Sequence, residues 1–127
     1  MVLWHAQRRR KVSGSMYQRK RDKRKCELGK TPAMTKLDEK DDVRAIRARG
    51  NNQKMRALKL SYANVLNTKT NKIEKAKLKK VVENPASRHF ARMGVITKGA
   101  LIDTDKGKAR VTNRPGQDGV IHAVLVE

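Results

Sequence analysis

One cysteine, Cys26, leaves the chain without an internal disulfide. Aromatic residues make up 3% of the 127 positions: Trp4, Tyr17, Tyr62 and Phe90. That excludes an extended platform on which successive single-stranded bases stack. The longest apolar runs, such as Ala123-Val124-Leu125-Val126, fall far short of the ~20 residues that cross a bilayer as a helix. The start, Met1-Val2-Leu3-Trp4-His5, meets charge at Arg8 and never develops the apolar stretch of a secretory signal. Neither a membrane partner nor export is expected. The three histidines, His5, His89 and His122, have no carboxylate or nucleophile beside them in sequence, and neither a Gly-rich phosphate loop nor a Cys/His zinc spacing is present. The chain therefore reads as a non-enzyme with no cofactor, no metal and no small-molecule substrate.

What the sequence has is positive charge. Lys and Arg number 32 against 12 Asp and Glu, a formal net charge of +20. A surface that basic repels itself unless a polyanion neutralises it, which makes nucleic acid the leading partner class. The first thirty residues hold 11 basic and 2 acidic side chains, whereas residues 91–127 hold 6 and 4. Charge thus falls from a basic arm to a more balanced body.

The arm carries two blocks, Arg8-Arg9-Arg10-Lys11 and Arg19-Lys20-Arg21-Asp22-Lys23-Arg24-Lys25, joined by Ser13-Gly14-Ser15. It has too few apolar side chains to offset ~1–2 kcal/mol of backbone entropy per residue, so alone it should not fold. Phosphates screening its like charges would permit a helix over 17–28 ending at Gly29. A solvated face or a nuclear address is the bland reading, but two blocks on a flexible joint better suit an arm that tracks a phosphate backbone. Residues 31–42 lack periodicity and read as a linker. Asp38, Glu39, Asp41 and Asp42 there suggest a solvated turn rather than a metal site, because neither His nor Cys lies nearby. The expected division is 1–41, basic arm and linker, and 42–127, body.

Beyond residue 42 the pattern is that of short strands. Residues 43–49, the turn Gly50-Asn51-Asn52-Gln53 and residues 55–65 predict a hairpin. Residues 73–83, where Lys75, Lys77 and Lys79 alternate with Ala76 and Leu78, predict a further strand. Asn84-Pro85 reads as an N-cap followed by Pro at the first helical position, opening a short helix that stops at Gly94. Arg88 and Arg92 share one face of it, with Phe90 turned towards the core. Strands at 95–97, 100–103, 108–112 and 120–126, linked by Gly-containing turns, indicate an antiparallel sandwich or barrel. The last strand is apolar at both alternating sets of positions and is expected to be covered on both sides, with His122 partly buried.

Several motifs in order carry a family resemblance: Trp4-His5, Arg8-Arg9-Arg10-Lys11 with Ser13-Gly14, Arg19 to Lys25 running into Glu27-Leu28-Gly29, Pro32-Ala33, Thr35-Lys36-Leu37, Arg47 to Asn52 with Lys54 and Arg56-Ala57-Leu58, Val82-Glu83-Asn84-Pro85-Ala86, Arg88-His89, Ile96-Thr97-Lys98-Gly99-Ala100 and Arg114-Pro115-Gly116-Gln117. Together they resemble the archaeal form of the eukaryotic-type small-subunit ribosomal protein eight family, over nearly the whole chain. Ser15, Asp22, Asp38 and Asn51 depart from the family's usual residues. Asn51 tolerates the left-handed backbone its turn requires.

The resemblance implies a mainly β fold: a small antiparallel β-barrel-like body with one short helix and a long basic N-terminal arm. It implies a structural constituent of the small ribosomal subunit, cytoplasmic, whose partners are small-subunit ribosomal RNA and neighbouring small-subunit proteins. The expected rRNA contacts are Trp4, Arg8, Arg9, Arg10, Lys11, Arg19, Lys20, Arg21, Lys23, Arg24, Lys25 and Lys30 in the arm. In the body they are Arg47, Arg49, Lys54 and Arg56 of the hairpin, Arg88, His89 and Arg92 of the helix, Lys98 and Arg114. Such contacts neutralise phosphates and position the protein without reading bases. The alternatives are a free-standing RNA chaperone or nucleic-acid-coating protein and, in another class, a small enzyme built around His89 and the acidic linker.

Overall fold

The computed structural model describes residues 3–5, 9–18 and 21–126, and the chain divides into two units, Met1–Pro32 and Ala33–Glu127. In the first, β1 (Leu3–Trp4) pairs antiparallel with β2 (Leu28–Gly29), Leu3 opposite Gly29 and Trp4 opposite Leu28. The His5 amide continues the pairing by donating to the Glu27 carbonyl at 2.9 Å. A Cβ on residue 29 would fall 2.3 Å from His5 Nε2, so the His5 ring lies directly over Gly29 and would have to swing away from a larger residue. Between the strands, Arg10 and Met16 form a bridge around a turn at Ser13-Gly14, closed by Gly14 N–H donating to the Lys11 carbonyl at 2.9 Å.

Within 17–28, the helix envisaged with phosphates bound, the helical part among the described residues is a single 3₁₀ turn, Lys25–Glu27. Like charges four apart, such as Arg21 and Lys25, oppose a helix, and doubling back lets Trp4 pair with Leu28 instead. No described residue of this unit is buried.

Near the start of the second unit stands Thr35, which the sequence places in a linker. Its hydroxyl, 2% exposed, donates to the Ala57 carbonyl at 2.7 Å. β3 (Lys36–Leu37) then runs parallel to β5 (Gln53–Leu60), and β4 (Asp42–Arg47) pairs antiparallel with β5 on its other side. Two residues of strand are too short to leave a periodicity, which is why β3 was invisible in the pattern. The expected hairpin is present, and Asn51 occupies left-handed space at φ 60° in its turn.

The expected strand over 55–65 breaks at Ser61. There the chain leaves the three-stranded sheet, and Asp41 Oδ1 accepts both Ser61 N–H and Ser61 Oγ–H at 2.7 Å. From that corner β6 (Tyr62–Asn67), β7 (Lys72–Glu83), β8 (Leu101–Thr104), β9 (Gly107–Val111) and β10 (His122–Leu125) close a barrel in the order β10-β6-β7-β8-β9. From partner to partner around the wall, Ile73, Leu66, Val124, Arg110 and Leu101 lead back to β7 at Glu83, the stagger that closure requires. Small and branched side chains fill the interior: Ala63, Val65, Ala76, Leu78, Ile102, Ala109, Val111, Ile121 and Ala123.

The antiparallel expectation fails at one seam, because β10 runs parallel to β6. A closed wall has an outside, so the last strand is covered on one side only: Ile121 and Ala123 are buried, while Val120 and Val126 are 42% and 40% exposed. His122 is exposed.

The expected strand over 95–97 is a loop with a single bridge, Lys36 to Val95. The first helix, α1 (Arg88–Arg92), is capped by Ser87 rather than Asn84, its Oγ accepting His89 N–H at 3.2 Å. Asn84 is buried and does another job: Nδ2 donates to the Val95 carbonyl at 3.0 Å, and Oδ1 accepts Ala86 N–H and Thr97 Oγ–H at 3.0 and 2.8 Å.

A second short helix, α2 (Pro115–Asp118), occupies what the sequence presents as a loop. Asp118 Oδ2 accepts the Arg114 amide at 3.1 Å, and Gly119 ends the helix at φ 78°. A Cβ on Gly119 would lie 2.8 Å from Met55 Cβ, so this corner packs directly on β5.

Candidate nucleic-acid interface

In the first unit, Arg9, Arg10, Lys11, Arg21, Lys23, Arg24, Lys25 and Lys30 are all exposed. Arg8, Arg19 and Lys20 lie outside the described residues. Lys23 Nζ sits 5.3 Å from the Trp4 ring and Lys11 Nζ 5.6 Å from the Tyr17 ring, so both aromatics of this unit hold cations over their faces. Arg21 pairs with Glu27, and Arg10 Nη1 donates to the Gly14 carbonyl at 3.0 Å.

In the second unit the register of β4 on β5 sorts the hairpin's cations. Directly opposite pairs are Val43 and Ala57, Arg44 and Arg56, Ala45 and Met55, Ile46 and Lys54, Arg47 and Gln53. Opposite residues share a face, so Arg44, Lys54 and Arg56 project together, whereas Arg47 projects on the other side with Val43, Ala45 and Met55. The sequence grouped Arg47 and Arg49 with Lys54 and Arg56. The structure joins Lys54 and Arg56 to Arg44 instead and puts Arg49 in the exposed turn. Arg44 went unnoticed in the sequence, although counting by twos outward from the turn would have found it.

Arg44 and Arg56 form a like-charge cross-strand pair, an arrangement that destabilises a ladder. Arg56 Nε is buried with no hydrogen-bond partner among the described residues, an omission that costs about 1–3 kcal/mol for a buried donor. Arg44 Nη2 is 3.4 Å from Asp42 Oδ2, with both side chains well exposed.

The barrel wall adds a set the sequence analysis did not place at the interface. Lys75, Lys77 and Lys79 point outward from β7 while Ala76 and Leu78 point into the core. Tyr62 lies opposite Lys77, Asn64 lies between Lys75 and His122, and Lys75 Nζ stands 4.4 Å from the Tyr62 ring. Lys108 and Arg110 are exposed on β9. Arg88, His89 and Arg92 are exposed on α1, as are Lys98 and Arg114.

Acidic groups screen few of these cations. Lys59 Nζ meets Asp38 Oδ2 at 2.5 Å, and Lys106 Nζ meets Glu74 Oε2 at 3.1 Å. The hydrogen bond from Lys59 holds the Asp38 carboxyl below its ordinary range, helped by the Glu39 amide, and Asp38 in turn raises the Lys59 ammonium. Glu74 raises Lys106 in the same way. Arg47, Arg49, Lys54, Arg88, Arg92, Lys98 and Arg114 have no ion pair among the described residues. The acidic segment 38–42 is therefore a set of structural pins, through Asp38 on Lys59 and Asp41 on Ser61. Among the described residues no group of three or more His, Cys, Asp or Glu side chains converges as metal ligands, and no helix is long and apolar enough to cross a membrane.

Residues 4–126 match the family model described as ribosomal protein S8e. A protein of Methanococcus aeolicus named small ribosomal subunit protein eS8 is 42% identical over 126 residues, covering 99% of this chain and 98% of its own. The protein of that name from Sulfolobus acidocaldarius is 48% identical over 117 residues, covering 92% and 91%. That from Methanocorpusculum labreanum is 44% identical over 126 residues, covering 99% and 100%.

Proposed function

The chain belongs to the ribosomal protein S8e family, and from that premise we infer that its exposed cations hold small-subunit ribosomal RNA by the phosphate backbone. It is a structural constituent of the small ribosomal subunit and not an enzyme. The observation that carries the reading is the spread of exposed Lys and Arg over the first unit, the hairpin, α1 and the barrel wall. A protein that reads bases concentrates its contacts on one element entering one groove. One that positions folded RNA distributes them over its surface.

Within this reading, the basic residues up to Lys30 act as an arm laid along RNA and Ala33–Glu127 act as the body, since Thr35 and β3 are built into its sheet. Trp4, Arg9, Arg10, Lys11, Arg21, Lys23, Arg24, Lys25 and Lys30, with Arg8, Arg19 and Lys20, serve the arm. Arg47, Arg49, Lys54, Arg56, Arg88, His89, Arg92, Lys98 and Arg114 serve the body, joined by Arg44 and the wall lysines. Neighbouring subunit proteins complete the surroundings, in the cytoplasm.

The test is the salt dependence of binding to a small-subunit rRNA fragment. Each neutralised phosphate contributes about 0.7–0.9 to the slope of log affinity against log salt. A steep slope that flattens when residues 1–32 are removed is expected, and a slope near zero for the full chain contradicts the reading.

A further inference from the structure

We propose that Arg44 and Arg56 form a seat for a single phosphodiester group, a site that the free protein leaves frustrated and that RNA completes. The proposal rests on the RNA-binding reading and adds to it one defined ligand position. Three observations converge. The register sets the two guanidinium-bearing side chains directly opposite one another on one face of β4 and β5. Arg56 Nε is buried without a partner. Lys54 lies on the same face one pair further towards the turn, opposite Ile46, and adds a third cation.

Two lysines of the body have a carboxylate of their own, Lys59 with Asp38 and Lys106 with Glu74. At this pair the relief is a single exposed carboxylate, Asp42, 3.4 Å from Arg44, and it does not reach Arg56. A phosphate offers what is missing. Its negative charge between the strands turns a repulsive pair into a clamp, and its oxygens accept the planar fork of a guanidinium, including Nε once the Arg56 side chain rotates outward. The opposite face of the hairpin lacks this character, since Arg47 stands there among Val43, Ala45 and Met55.

A structural role would make the two arginines stabilising in the free protein. A ligand seat makes them destabilising until an anion arrives. The experiment compares thermal midpoints of the full chain in sodium phosphate and in sodium chloride at equal ionic strength, for wild type, Arg56→Met, Arg44→Gln and a charge-matched control at an exposed lysine outside the proposed contacts, Lys72→Gln. Affinity for a small-subunit rRNA fragment is measured on the same four proteins. The seat predicts that both arginine variants melt at or above wild type in chloride and lose the extra stabilisation by phosphate, which Lys72→Gln retains. It also predicts a threefold to tenfold loss of RNA affinity in each arginine variant, with a salt slope lower by about one.

Arginine variants that keep the full phosphate response while RNA binding stays intact overturn the seat and leave the RNA reading standing. Variants that melt well below wild type in chloride assign the pair a structural role and also overturn it. A wild-type chain whose RNA affinity ignores salt overturns the RNA reading, and the seat with it.

Discussion

The first unit and the body carry the same kind of charge on different foundations. In the body, cations stand on the outer faces of strands whose inner faces bury Val65, Ile102, Val111 and Ile121, so the framework exists before any ligand. In the first unit no described residue is buried. Its order comes from a two-residue strand pair, a few backbone hydrogen bonds and two cations over aromatic rings. Such a unit cannot offset its own conformational entropy. The difference teaches that charge and burial are separable here: the body displays its cations on a packed framework, and the first unit carries its cations with no buried residue among those described.

Removing residues 1–32 breaks the comparison most severely. The remaining body should keep its thermal midpoint within a few degrees, while affinity for small-subunit rRNA at moderate salt falls on the order of a thousandfold through the loss of many phosphate contacts. Calorimetry and filter binding on one preparation measure both. Ile102→Ala should do the converse: about 2–5 kcal/mol of body stability is lost through the cavity at a fully buried position, with urea unfolding as the readout.

Asn84→Ala should cost about 1–3 kcal/mol by the same measurement, because the Val95 carbonyl and the Thr97 hydroxyl lose their buried partner. Lys75→Ala leaves stability unchanged and should lower the RNA salt slope by about one, which separates a contact on the wall from a structural lysine.

The smallest effect is on pH. Asp38 has its carboxyl lowered by Lys59, so its contribution is present above the ordinary value of 3.8 and is lost as pH falls through the lower folded value. Lys59 is raised, so its side of the pair is present below 10.5 and lost as pH climbs through the higher folded value. Both groups are exposed, and Asp38→Asn should remove only a slight acid dependence of the urea midpoint.

How far the sequence could be read follows from what each element leaves in the pattern. The hairpin, β7 and the terminator of the first short helix, Gly94, were legible because Gly, Asn and the alternation of Lys with Ala and Leu are local signals. The parallel seam between β10 and β6 was not, since it joins residues almost sixty positions apart and parallel pairing has no turn to announce it. The pairing of β1 with β2 was hidden by charge, and β3 by its brevity. Asn84 misled because a preferred capping residue before proline is a strong local signal, whereas its actual partners, Val95 and Thr97, are brought in by the tertiary fold. The exposed cations were mostly legible one by one. Which of them share a face across the two strands depended on a register that the turn sets and the composition does not, which is why Arg44, opposite Arg56, was missed.

The contrast between the units is tested most directly by amide hydrogen exchange on the full chain, free and bound to a small-subunit rRNA fragment. Strands β6 to β10 should be protected in both states, whereas amides of residues 9–18 and 21–32 should exchange quickly in the free protein and slow by at least about tenfold on RNA. Equal protection of the two units in the free protein, or no slowing in the first unit on binding, would contradict the account.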